Sequence, residues 1–128
     1  MEKVLHFDSP VEVYTADACV ITCFDARFEA AIRKLVKRLG IGLYDHLKVP
    51  GSAKDAEFAL QSLRTSMRLH RPGRVVIVAH NDCGAYPGVA PEVVAAEAAQ
   101  SMAYLQAAEP ALSYQTYFAD FDGIYRVA

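Results

Sequence analysis

Two stretches of this chain are apolar and rich in β-branched residues from end to end: residues 18–23, ACVITC, and residues 75–79, VVIVA. Neither alternates polar with apolar residues, so each reads as a strand covered on both faces. Such strands need helices above and below their sheet, and the sequence around them supplies the periodicity. Phe28, Ala31, Ile32, Leu35, Val36 and Leu39 recur at helical spacing, with Arg33, Lys34, Lys37 and Arg38 on the other side. Gly40 suits the end of that helix, and the basic residues before it suit its dipole. A short strand over 46–49 stops at Pro50-Gly51. Ser52, with Asp55 three residues on, then resembles a capping box with the shorter acid, opening a helix whose apolar face is Phe58, Ala59, Leu60, Leu63 and Met67. Pro72-Gly73 ends it. Pro91 fits the first turn of a third helix reaching about residue 108, and residues 114–121 read as a last strand at the sheet edge.

Strands and helices therefore alternate along the chain. Right-handed crossovers turn that alternation into an α/β fold, a mostly parallel central sheet of about four strands flanked by helices. The chain of 128 residues fits one domain, with residues 1–16 as an irregular arm in which VEVY at 11–14 could make a short strand. The net charge of −2 and the absence of a basic run speak against a nucleic-acid partner. No run of about 18 apolar residues is present, so no membrane span is expected. The opening MEKVLHFDSP has no apolar signal core, which makes the cytoplasm the expected compartment. The odd number of cysteines, Cys19, Cys23 and Cys83, argues against a disulfide framework and leaves thiols for a metal or for chemistry.

In open α/β sheets ligands bind beyond the carboxyl ends of strands, where strand order reverses. Two polar signatures sit at such ends: Cys23-Phe24-Asp25-Ala26-Arg27 after the first buried strand and His80-Asn81-Asp82-Cys83-Gly84 after the second. Thiolate and imidazole are donors that suit zinc, and a His-x-x-Cys loop can place both on one ion. Cys23 supplies a third donor if the two strands are neighbours. Three protein ligands with an open fourth position is the catalytic pattern. Cys19 lies about 13 Å from Cys23 along a regular strand and should not reach the same ion. Arg27 can hold Asp25 in a bidentate pair, and the carboxylate can then accept a hydrogen bond from zinc-bound water. Alternatively Asp25 swings in as the fourth ligand and closes the site.

CFDAR at 23–27 and HNDCG at 80–84, separated by a strand-helix unit, resemble the Cys-x-Asp-x-Arg and His-x-x-Cys motifs of the β-class carbonic anhydrases. The resemblance covers roughly residues 17–127. It implies zinc on Cys23, His80 and Cys83, a catalytic dyad of Asp25 and Arg27, and reversible hydration of carbon dioxide to bicarbonate. It also implies a homodimer or higher homo-oligomer. KVPGSA at 48–53 looks like the family's segment lining the site, and FDGIYRV at 121–127 is similar to its final strand, which would carry the last strand past residue 121. Ala26 stands where the family usually has serine, Phe28 where a smaller aliphatic residue is common, and Val49-Pro50-Gly51 where an Arg-Asn-Ala-Gly pattern is usual.

Two other functions fit the same residues. One is zinc-dependent hydrolysis of carbonyl sulfide or carbon disulfide; the other is a catalytically silent zinc protein with Asp25 on the metal. Asp82 reads as a cap for its own turn, and Gly84 as a point of close backbone approach. His6, His46 and His70 read as surface or packing residues.

Overall fold

A computed structural model describes residues 1–12 and 14–128. The elements are β1 (Ala18–Thr22), a single 3-10 turn (Ala26–Phe28), α1 (Glu29–Arg38), β2 (Tyr44–Lys48), α2 (Ala56–His70), β3 (Arg74–His80), α3 (Pro91–Ala108), β4 (Ser113–Ala119) and β5 (Ile124–Arg126). The arm holds no helix or strand among its described residues. The strand expected over 11–14 includes Val13, which lies outside them.

The sheet runs β2-β1-β3-β4-β5. Its first four strands are parallel, and β5 lies antiparallel to β4. This is the α/β fold with a mostly parallel sheet that the alternation predicts, with one strand more than the four expected. The extra strand exists because the last one stops early. At Ala119 the chain turns on the Asp120 carboxylate, which accepts the amides of Asp122 (2.8 Å) and Gly123 (2.7 Å). It then doubles back as β5, so β4 lies inside the sheet and β5 forms the edge.

All five residues of β1 are buried, as are Val75 to His80 in β3. On one face Phe28 of the 3-10 turn and Ile32, Leu35 and Val36 of α1 pack over Ala18, Val20, Val76, Val78 and Tyr117. On the other face Leu60 and Leu63 of α2 and Leu105 of α3 meet Cys19, Ile21, Val75 and Ile77. The hydrophobic stripe of α1 thus covers one layer, and the other two helices cover the second.

The helix ends show where local signals were overruled. Gly40 does close α1, in the left-handed conformation (φ 68°), and the Ile41 amide reaches back to the Val36 carbonyl. Helix α2, however, is capped by Asp55, whose Oδ1 accepts the Phe58 amide at 3.0 Å. Ser52 is drawn elsewhere: its hydroxyl donates to the Ile21 carbonyl at 3.0 Å, pinning the 49–54 loop under the end of β1. Helix α2 ends at Arg71, which is left-handed (φ 50°) just ahead of Pro72. No helix among the described residues is long and apolar enough to cross a membrane.

Strand order explains the position of the site. From β1 the chain passes through α1 to β2 on one side, then through α2 to β3 on the other side of β1. Order therefore reverses at β1, and a crevice opens beyond the carboxyl ends of β1 and β3. Thr22 pairs with Val78, so Cys23 and His80 leave the sheet as close neighbours.

Candidate metal centre

Cys23, His80 and Cys83 converge in that crevice. Their donor atoms all lie within 4.8 Å of one another, and all three residues are buried. The two sulfurs are 3.9 Å apart. Two thiolates bound tetrahedrally at about 2.3 Å would stand about 3.8 Å apart, so the spacing suits a shared ion.

His80 carries the most direct sign of a missing partner. Its Nδ1 lies 2.6 Å from the carbonyl oxygen of Asn81. A carbonyl can only accept, so Nδ1 bears a proton, and in the neutral ring Nε2 then presents its lone pair. That Nε2 is buried without a hydrogen-bond partner among the described residues. Buried polar atoms are nearly always paired, and a histidine fixed through one nitrogen with the other facing two thiols is how a metal-ligating imidazole is oriented. The ring is wedged by Phe28, whose centroid lies 4.3 Å from its own.

Burial pushes the Cys83 thiol up, while the nearby backbone amides of Ala85 and Gly51 oppose that shift. Gly51 is in the left-handed region (φ 76°), and an added Cβ there would stand 3.0 Å from the Ala85 Cβ. Only glycine brings its amide this close without displacing Ala85. The cluster sits against Ala79, Tyr86, Val94, Ala98 and Phe118, an apolar wall that excludes water on that side.

Asp25 stands at the open side. Its Oδ2 is 3.9 Å from His80 Nε2, but the carboxylate is engaged by Arg27. The Arg27 amide and Nε donate to Oδ1 at 3.0 and 3.1 Å, and Nη2 donates to Oδ2 at 2.7 Å. The Arg27 guanidinium is the main reason the Asp25 carboxyl is held down at about 2. Asp25 is therefore an ionised acceptor directed to Arg27, and the three-residue cluster forms without it.

Asp82 departs from the reading of it as a cap. The turn is closed by the Tyr86 amide on the Cys83 carbonyl (2.9 Å), and the Asp82 carboxylate instead reaches Arg27 Nη1 at 3.0 Å. Cys19 is remote from the cluster, buried under α2, its thiol pushed up to about 11 chiefly by burial. His46 bonds the Thr22 hydroxyl (2.8 Å) and His70 pairs with Asp45 (2.8 Å), and neither belongs to the Cys23-His80-Cys83 cluster. A groove of about 650 Å³ opens beyond Arg27 between α1 and the β4–β5 hairpin, and its lining does not include the thiols.

No family model matches this sequence, and no curated protein matches it. Solved structures do. A carbonic anhydrase from Glaciozyma antarctica is similar over 91% of this chain and 85% of its own, with a TM-score of 0.69 and 20% identity. A β-carbonic anhydrase isoform from Trichomonas vaginalis covers 95% and 87%, with a TM-score of 0.68 and 12% identity. The apo form of a carbon disulfide hydrolase covers 88% and 79%, with a TM-score of 0.62 and 14% identity. The likeness at these identities is one of fold: this chain has a β-carbonic anhydrase-like fold, with a Cys-His-Cys cluster able to hold a metal ion at the crevice of its sheet.

Proposed function

We propose that this protein is a zinc enzyme that interconverts carbon dioxide and bicarbonate, with Cys23, His80 and Cys83 as ligands and Asp25 and Arg27 as the catalytic pair. The observation that carries the proposal is the buried, partnerless Nε2 of His80 beside two sulfurs 3.9 Å apart. Two sulfurs and one imidazole form a donor set that favours zinc over magnesium or calcium. Zinc held there supplies a Lewis acid that brings the pKa of a bound water toward about 7.

The chain's own residues supply orientation and exclusion. Asp25, ionised and fixed by Arg27, accepts a hydrogen bond from water in the crevice and so aims an oxygen lone pair at the substrate carbon. Arg27 keeps that carboxylate charged and turned away from the ligand cluster. Ala79, Val94, Ala98 and Phe118 pack beside the two cysteines, so a small uncharged molecule in the crevice would meet an apolar wall at no cost in buried charge. Phe24 and Phe121 leave aromatic surface exposed near Arg27, which supports a homodimer or higher homo-oligomer as the working unit.

The same apolar wall suits carbonyl sulfide or carbon disulfide, and the fold likeness to a carbon disulfide hydrolase supports that second reading. Metal content and stopped-flow hydration of carbon dioxide, followed from about pH 6.5 to about 9 on one preparation, test the proposal. Zinc near one per chain with activity that rises with pH supports it. Zinc near one per chain with no carbon dioxide hydration, but release of sulfide from carbonyl sulfide, moves the assignment to the second reading. Absence of stoichiometric zinc removes both.

A further inference from the structure

The guanidinium of Arg27 is shared between two loops. Its Nε and Nη2 edge faces Asp25, two residues away in sequence. Its Nη1 and Nη2 edge faces Asp82, 55 residues away, which offers both the carboxylate Oδ2 (3.0 Å) and the main-chain carbonyl (3.0 Å). The two acids use different edges of the fork, so Asp82 fixes the plane of the guanidinium without displacing Asp25. Asp82 makes both contacts from a left-handed backbone (φ 53°), a conformation that non-glycine residues keep where the surroundings hold it.

What this contact restrains matters because of where Asp25 sits. Arg27 is about half exposed, with the Phe121 ring 5.1 Å from its guanidinium carbon. Without the Asp82 carboxylate, Nη1 loses its charged partner, and Arg27 is left with Asp25, the residue-82 carbonyl and the Phe28 and Phe121 rings, so its long side chain regains rotamer freedom. A carboxylate is itself a good zinc ligand. Asp25 Oδ2 already lies 3.9 Å from His80 Nε2, so a carboxylate released by Arg27 would be within reach of a metal held by His80.

Accordingly, we propose that Asp82 is a positioning residue that keeps the fourth metal position open, by docking Arg27 so that Arg27 retains Asp25. The proposal rests on the zinc reading above. It adds a switch to that reading: the loop that carries His80 and Cys83 also governs whether Asp25 competes with an incoming ligand.

The test uses the protein loaded with cobalt(II) in place of zinc, whose visible absorption reports ligand exchange directly, and azide as the probe for an open position. Wild type takes up cobalt and shifts its spectrum on azide addition. Asp82→Gly removes the carboxylate at a position whose φ glycine adopts freely, so the fold is retained. It should keep full cobalt and bind azide at least about tenfold more weakly, the scale of effect seen when a residue behind a metal site is lost. Asp82→Asn, which keeps a neutral acceptor, should fall between. The double variant Asp25→Asn with Asp82→Gly has no carboxylate to close the site and should bind azide as Asp25→Asn alone does. Undiminished azide affinity in both Asp82 variants overturns the proposal. So does a double variant as weak as Asp82→Gly, because Asp82 would then act without Asp25. Failure of wild type to bind cobalt is a separate result, which overturns the zinc reading and this proposal with it.

Discussion

The ring of Phe28 lies against the imidazole of His80, centroids 4.3 Å apart and planes 31° from parallel. Phe28 is also buried among the residues that join α1 to the sheet. One side chain therefore both anchors α1 and braces a proposed ligand. Phe28→Ala should destabilise the fold by about 3–5 kcal/mol, the usual cost of emptying a buried aromatic site. It should also weaken zinc binding by about tenfold or more, because His80 loses the wall that sets its ring plane. Urea unfolding with and without zinc gives the first quantity, and competition with a chelator gives the second. A stability loss with unchanged zinc affinity would show that Phe28 only packs.

Cys83 is buried, and its sulfur lies 3.9 Å from that of Cys23. Cys83→Ala leaves two donors and should lose stoichiometric zinc after dialysis. The measurement is metal per chain by emission spectrometry, with Cys19→Ala as the control that keeps its metal. Full occupancy in Cys83→Ala would remove this residue from the ligand set.

Asp25 is held by three donors of Arg27 and is absent from the Cys23-His80-Cys83 cluster. Asp25→Asn should therefore keep zinc near one per chain while turnover falls by a factor of about 10² to 10⁴, the range expected for a lost acid-base or orienting group. Stopped-flow rates normalised to bound zinc decide this. Rates close to wild type would take Asp25 out of the mechanism.

Tyr114 donates its hydroxyl to the carbonyls of Leu105 (3.2 Å) and Glu109 (2.7 Å), closing the end of α3 onto β4. Burial, and then the nearby Glu109 charge, raise its pKa from an ordinary value of about 10 to about 12. The neutral phenol is the form the fold favours. Its contribution to stability is complete below about pH 10 and is lost as pH rises through about 12. Tyr114→Phe should cost about 1 kcal/mol near neutrality. The gap between the two proteins in urea midpoint should close as the pH is raised through that window. A gap that stays constant to the top of the window would mean the phenol does not titrate as the structure implies.

The parts of the fold legible in the sequence are those set by burial. β1 and β3 announce themselves because strands covered on both faces carry no polar positions, and their ends locate the two signatures. The parts that were not legible depend on contacts distant in sequence. Ser52 has the local look of a cap, but its hydroxyl goes to Ile21, 31 residues away, and Asp55 takes the helix instead. β5 is only three residues long, too short for alternation to mark its start or its reversed direction. Asp82 resembles a turn former because its partner, Arg27, lies 55 positions upstream. Phe28 stood out as an unusual residue after Arg27, but nothing in the sequence tied it to His80. Gly51 could be placed near the site, while its close approach to Ala85 follows from the folded loop.

Cys23 and Cys83 are 60 residues apart in the chain and hang from neighbouring strands. An ion shared between them would be a clasp on a long closed loop that contains α1, β2, α2 and β3. Any excursion that parts β1 from β3 must first surrender the ion, and any loss of the ion lifts a restraint on that parting. Metal release and the opening of the central sheet are then two readings of one event, so the hydrogen-exchange rates of β1 and β3 become a clock for how long the metal stays bound.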